Sequence, residues 1–193
     1  MKPFLYSNQV GLVPLDRSYR DELLLAASDG KLWESKVTTV PDSKTINDYI
    51  NIALIGKDDG SSIPFVITIN GKVVGSTRFW KLDLKNKNVE IGHTWIAMSW
   101  QGSSVNIQTK YLMLQYAFEQ LALIRVQFTT DELNTRSRRA IIKIGAVEEG
   151  LIRNERIMPD GRKRNSMRYS IIDTEWPAVK ERLECKLQIL PAL

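Results

Sequence analysis

An α+β, or mixed α/β, domain is what this sequence predicts, on three observations. Runs of β-branched and aromatic residues at 65–69, 72–82 and 89–96 follow one another closely, as strands of a meander do. From Ile107 the apolar pattern switches to a helical period, with Ile107, Tyr111, Leu114, Phe118 and Leu121 spaced four, three, four and three apart. Beyond that helix a strand, a short helix and two more strands alternate, so helices and strands are mixed along the chain.

The apolar run 10–15, closed by Pro14 and Asp16, predicts an opening strand, and 18–27 a helix ended by Asp29-Gly30. After an irregular stretch at 33–41, Asp42 or Ser43 can cap a second helix whose Ile46, Tyr49, Ile50, Ala53 and Leu54 share a face. Gly56 and the polar run 58–62 end it. Asn70-Gly71 accepts positive φ at both central turn positions, a hairpin signal, and 85–88 is a looser turn to the third strand. The helix from Ile107 is followed by a strand at 124–129, a helix capped by Asn134 that runs through 144, and Gly145 as its stop. Strands at 151–157 and 167–172 pair across 159–161, and a terminal helix occupies 175–190.

The 193 residues carry a net charge of +5, with 43% hydrophobic and 25% charged residues. That balance is globular, and the length suits a single domain over 1–193, with no repeat or linker to divide it. Two prolines and a lysine interrupt any signal-peptide core in 1–15, and no apolar run approaches membrane-spanning length. A cytoplasmic protein without a membrane partner is expected. The chain has one cysteine, Cys185, and one histidine, His93. Internal disulfides, Cys-His and Ser-His-Asp chemistry and multi-histidine or cysteine-rich metal sites therefore lack partners, and no metal is expected. His93 reads as a packed or hydrogen-bonded strand residue and Cys185 as inert. The positive balance favours an anionic partner: a nucleic acid, an acidic protein surface or a phosphorylated cofactor.

One segment carries a specific chemical reading. A strand, then Trp100-Gln101-Gly102-Ser103-Ser104-Val105-Asn106, then a strong helix directs free backbone N–H groups and the positive end of a helix dipole at one place. Small residues let a pyrophosphate approach such a turn, and Gln101 and the serines can add hydrogen bonds. Composition alone favours a plain Gly-Ser turn with no ligand over a phosphate site.

Four segments in order decide between these readings: Glu90 to Ile96 (EIGHTWI), the loop Gln101 to Asn106, Asn134-Thr135-Arg136-Ser137, and Gly145 to Gly150 (GAVEEG). Together they resemble the GNAT acetyltransferases, and within them the ribosomal-protein N-terminal acetyltransferase type, over about 10–172. The resemblance implies a mostly antiparallel, centrally splayed sheet of about six to seven strands flanked by helices. It implies acetyl-CoA as donor and, as acceptor, a primary amine on a protein N-terminus or a small molecule. A homodimer stays open. In that family the loop after the fourth strand begins Gln or Arg, then Gly, with further small residues, and its amides hold the pyrophosphate. Gln101 and Gly102 match, with Ser103 and Val105 between the small positions and Ser104 and Asn106 at the second and third. The main chain near Trp95, Ile96 and Ala97 is implied to bond the pantetheine arm and Asn134 to contact the cofactor, while Arg138 or Arg139 meets the 3′-phosphate or is solvated charge.

Acetyl transfer in a ternary complex needs a base, a stabilised carbonyl oxygen and a proton for the leaving thiolate, but no covalent intermediate. Strand alternation sets Glu90, Gly92 and Thr94 on one face and Val89, Ile91, His93 and Trp95 on the other, making Glu90 the candidate base, with a cross-strand charge as its alternative. Ser137 is the candidate acid on the resemblance, with service to a helix N-terminus as its alternative. The glutamate and tyrosine that some peptide acetyltransferases carry are replaced by Thr129 and Ile141. Two rival expectations remain: a GNAT-fold acyl-CoA-binding protein without turnover, and a nucleic-acid module using Arg162-Lys163-Arg164 with Arg136, Arg138 and Arg139.

Overall fold

The computed structural model describes residues 3–7, 9–158 and 160–188. Among them eight strands form one sheet: β1 (Leu5–Ser7), β2 (Val10–Pro14), β3 (Ser62–Ile69), β4 (Lys72–Asp83), β5 (Asn88–Ile96), β6 (Arg125–Asp131), β7 (Val147–Ile157) and β8 (Lys163–Ile172). Their spatial order is β1-β2-β3-β4-β5-β6-β8-β7. Five α-helices accompany them: α1 (Arg20–Ser28), α2 (Ile46–Asp58), α3 (Val105–Gln115), α4 (Thr135–Lys143) and α5 (Trp176–Leu187). The short edge strand β1 is an addition to the strands read from sequence.

Every neighbouring pair is antiparallel except β5 with β6. Those two are joined through α3, the kind of crossover a parallel pair requires. Their pairing lasts only from Asn88↔Arg125 to Glu90↔Gln127. Beyond it β5 continues to Ile96 and β6 to Asp131 unpaired with each other, so the middle of the sheet opens as a wedge. On its other edge β5 stays paired to β4, but the register shifts between Ser76 and Arg78, where His93 takes φ 50. An extra residue in a ladder bends and twists its strand, and here it turns β5 away from β6.

That bulge also corrects the faces expected from simple alternation. Val89 and Ile91 pack with α3, as expected, and so does Ile96, whereas Trp95 joins the separate cluster formed with α1 and α2. Thr94 bonds Lys110 of α3, so it lies on the opposite face from Glu90 and Gly92. The two apolar clusters sandwich the sheet: Phe65, Phe79, Met113, Phe128 and Tyr169 on the α3 side, and Leu23, Ile46, Tyr49, Val66 and Trp95 on the α1–α2 side.

Local chemistry accounts for the remaining boundaries. Asn70 and Gly71 have φ 49 and 83 and close the β3–β4 hairpin as expected. Asp16 caps a 3-10 turn ahead of α1 by accepting from Ser18 N, so the helix proper starts at Arg20 rather than 18. Asp42 accepts from the amides of Lys44 and Thr45, which delays α2 to Ile46. Asn134 caps α4 and Gly145, at φ 101, follows its end. The single stripe expected on α3 was too narrow: Thr109 to Leu114 are all buried, because the helix lies across the sheet centre beneath further cover. After Gln115 the helix widens into a π turn, Tyr116–Gln120. Strand β6 starts one residue late and reaches Asp131, and β7 begins at Val147, four residues earlier than expected. The last two positions of the terminal helix expected at 175–190, and Pro159 in the β7–β8 turn, fall outside the described residues.

Gly75 lies where β4 crosses closest to the bulged strand. A β-carbon there would stand 2.2 Å from the Trp95 carbonyl oxygen and 3.1 Å from Ile96 Cα, both backbone atoms that no rotamer change can move. Gly75→Ala is expected to cost about 1–3 kcal/mol of stability, read as a lower midpoint in urea at unchanged m-value.

Candidate active site

The wedge ends at the loop that leads into α3. There the amides of Gly102, Ser103, Ser104, Asn106 and Ile107 find no acceptor among the described residues. Free N–H groups at a helix start form a ready anion site. The loop's side chains turn inward instead. Gln101 Nε2 donates to Ile96 O at 2.7 Å, and Gln101 Oε1 accepts from Arg136 Nη1 at 2.5 Å. Ser103 Oγ donates to Trp100 O, and Ser104 Oγ accepts from Gln108 Nε2. These side chains hold the turn in shape and leave the backbone as the donor set. Gly102, at φ 82, has open space where a β-carbon would stand. A diphosphate fits this arrangement: small residues, five unspent amides and the Arg136 guanidinium beside them.

On β5, Ala97 N donates to Val74 O, so alternation turns the Ile96 main chain toward the wedge, where Gln101 meets its carbonyl. Asn134 Oδ1 is spent on Ser137 N at 3.0 Å, and its Nδ2 reaches Thr38 Oγ1 at 3.3 Å, tying the 33–41 stretch to α4. The Ser137 hydroxyl makes no hydrogen bond among the described residues. Of Arg138 and Arg139, the two considered for a 3′-phosphate, Arg138 is held by Tyr169 Oη, Glu132 O and Glu148; the arginine brought to the loop is Arg136, which the sequence reading did not consider for this role.

Glu90 sits where β5 and β6 part, only 3% exposed. Its Oε2 accepts from Gln127 Nε2 at 2.9 Å and Lys81 Nζ at 3.3 Å, while Oε1 carries no protein hydrogen bond. No hydrogen bond joins Glu90 to Ser137, which lies past the far end of β6. The two expected proton-transfer residues thus flank the wedge at different depths rather than forming a pair.

Lys110 is the residue that sequence reasoning missed. It is 6% exposed on the inner side of α3, and Nζ donates to Thr94 Oγ1 at 2.7 Å, itself 2.8 Å from Thr77 Oγ1. The amine lies 5.9 Å from the Phe128 ring centroid, so it reaches between Thr94 on β5 and Phe128 on β6, the two sides of the wedge. No carboxylate among the described residues pairs with it. Burial pushes its pKa down to about 7. The available signal was position: Lys110 stands three residues after Ile107 and four before Leu114, on the apolar stripe itself.

No three His, Cys, Asp or Glu side chains gather at a metal-holding spacing among the described residues, and no helix there is long and apolar enough to cross a membrane. Comparison with known proteins then adds identity to geometry. Residues 9–147 match the model of the acetyltransferase (GNAT) domain. A Bacillus subtilis protein, YdaF, provisionally named a ribosomal N-acetyltransferase, is 30% identical over 122 residues, covering 63% of this chain and 66% of its own, just under two thirds. The crystal structure of a GCN5-related N-acetyltransferase from Brucella melitensis superposes with a TM-score of 0.85 at 25% identity, covering 99% of this chain and 87% of that one. The fold is shared also by Mycobacterium smegmatis RimJ in complex with CoA-disulfide, at TM-score 0.79 and 22% identity, over 93% and 89% of the two chains.

Lys110 gives a test in solution. Its folded pKa, about 7, lies below the ordinary 10.5, so between those values the folded chain binds fewer protons than the unfolded one and stability rises with pH. Below pH 7 both states are protonated and the buried charge weighs fully against the fold. Lys110→Met is expected to melt above wild type at pH 6, with the difference shrinking as pH rises toward 10; a pH-independent difference would contradict it.

Proposed function

The chain belongs to the GNAT acetyltransferase family, and from that premise we propose that it transfers the acetyl group of acetyl-CoA directly to a primary amine, on a protein N-terminus or a small molecule, within a ternary complex. The observation that carries this reading is the wedge beyond Glu90 and Gln127, capped at one end by the five unspent amides of the loop before α3. Acetyl-CoA supplies the activated acetyl group and a thiol leaving group when bound.

This chain's residues divide the remaining work. The amides from Gly102 to Ile107 and the Arg136 guanidinium bind the diphosphate. The Ile96 main chain, facing the gap that β6 leaves, pairs with the extended pantetheine arm as a neighbouring strand would. Glu90 takes the proton of the incoming amine on Oε1, directly or through a water, while Lys81 and Gln127 keep Oε2 in place. Ser137, whose hydroxyl makes no hydrogen bond among the described residues, passes a proton to the departing thiolate. Lys110 places its amine on the α3 side of the same gap.

The relative named for ribosomal N-acetylation motivates the peptide acceptor. The nucleic-acid reading loses its main support, because Arg162 and Arg164 are committed to the buried Asp131 at 2.5 and 3.9 Å, and Arg138 to Tyr169 and Glu148. The binding-only reading draws on the Lys81–Glu90 ion pair, which gives Glu90 a cross-strand structural role; tight CoA binding with no thiol release from any amine would establish it.

Free-thiol release from acetyl-CoA against a panel of amines and peptides is the direct measurement. Glu90→Gln is expected to lower kcat/KM on the best acceptor by about 100-fold or more, and Ser137→Ala by a smaller factor. Full rates from both variants would remove the assigned roles. Ser104→Glu, which sets a negative charge at the amide cluster, is expected to weaken CoA binding in calorimetry without lowering the melting temperature.

A further inference from the structure

Arg78 of β4 is 4% exposed, yet its side chain makes no hydrogen bond and no ion pair with any described residue, and its Nε is fully enclosed. Its guanidinium carbon lies 4.9 Å from the centroid of the Tyr49 ring, on the α2 face of the sheet. Removing a guanidinium from water without a counter-charge is costly by several kcal/mol, roughly, and a ring face returns only about 2. None of the surrounding described residues supplies its side chain with a hydrogen bond. Trp80 Nε1, two residues on, is also enclosed and unpartnered, and it is the atom a β-carbon on Gly92 would strike at 2.6 Å. His93 meets the Trp80 ring edge-on at 5.0 Å. Burial first, then the charges of Arg78, Arg156 and Lys81, push its pKa down to about 3, so it adds no charge of its own. Glu90, on the same face, spends Oε2 on Lys81 and Gln127 and leaves Oε1 open, with no hydrogen bond or ion pair to Arg78. Tyr49 Oη is engaged with Ser76 and Trp95.

The position of this uncompensated charge gives it a purpose. Arg78 pairs across the ladder with Gly92, and Trp80 with Glu90. Gly92 follows Glu90 by two residues on the same face, roughly 6.6 Å along a strand. A molecule whose amine meets Glu90 would therefore place a group within about 6.6 Å, two residues along the strand, beside Arg78.

Resting on the transferase reading above, we propose that the acceptor is anionic, with a carboxylate near its nucleophilic amine that Arg78 binds and Trp80 Nε1 supports. The carboxylate belongs to an acidic side chain at the start of a peptide or to the main-chain carboxylate of a small amino acid. Bound there, it gives the buried guanidinium its missing partner and fixes the amine at Glu90. A planar guanidinium suits a carboxylate with two parallel hydrogen bonds.

Thiol release from acetyl-CoA is to be compared in two matched pairs: a tetrapeptide beginning with aspartate against one beginning with asparagine, and free alanine against alaninamide. Wild type is expected to favour the carboxylate member of at least one pair by 10-fold or more in kcat/KM, and the pair affected identifies the source. Arg78→Met is expected to abolish that preference while leaving CoA binding unchanged. It should also melt at or above the wild-type temperature, since no hydrogen bond is lost and a buried charge is removed; a large loss of stability would mark Arg78 as structural and overturn the proposal. Absence of preference in both pairs, or a preference that survives Arg78→Met, would overturn it too. Thermal stabilisation of wild type, but not Arg78→Met, by the aspartate tetrapeptide alone reads the anion site without turnover. Stabilisation without any thiol release would remove the transferase reading and keep the site, whereas thiol release without stabilisation or preference would keep the transferase and remove the site.

Discussion

The parting of β5 from β6 after three paired residues is the constraint from which the rest of the site follows. A strand interior that loses its partner exposes main-chain donors and acceptors, which a folded protein ordinarily satisfies. Here one side of β5 stays in the ladder with β4, and on the other the Ile96 carbonyl is met by Gln101. The bulge at His93 supplies the twist that separates the strands, and Gly75 permits the close crossing that the bulged backbone demands. Together they accompany a β5 that runs unpaired with β6 beyond Glu90 and Gln127.

Because the gap is bounded by fixed elements, its mouth is preorganised. Gln101 joins the end of β5 to Arg136 at the start of α4, and Asn134 joins that helix start to Thr38. Three segments distant in sequence are thereby held around the free amides of the loop. Their side chains are satisfied by one another, which leaves the backbone donors as the groups seeking an anion. Such donors need no rearrangement when charge arrives, and that is what makes a helix start effective for binding phosphate.

What could be read from sequence was whatever local chemistry decides. The Asn70-Gly71 turn, the Asn134 cap and the Gly145 stop depend on a residue's own backbone preferences and appear where expected. The face of Thr94 was misassigned because a single-strand pattern contains no sign of the extra residue at His93; the bulge is set by how β4 and β5 pack. Helix α3 was read as one stripe because its second buried side holds Thr109 and Lys110, residue types that ordinarily mark solvent. For the same reason Arg78 passed unnoticed in the buried run from Val73 to Phe79, although its neighbours on both sides are core residues.

Lys110 and Arg78 show how one physical problem receives two answers on opposite faces of the sheet. Both place a basic side chain out of water without a carboxylate. A lysine can lower the cost by shedding its proton, and burial carries Lys110 to about 7, where its amine still bonds Thr94. An arginine has no such escape, because its guanidinium keeps its charge at any pH the fold survives. The charge of Arg78 therefore persists, faced by the Tyr49 ring and by a His93 whose neutrality it helps to enforce. A permanent cation buried without a hydrogen bond or ion pair among the described residues, beside an equally unpartnered Trp80 Nε1, is an arrangement that a carboxylate from outside would complete.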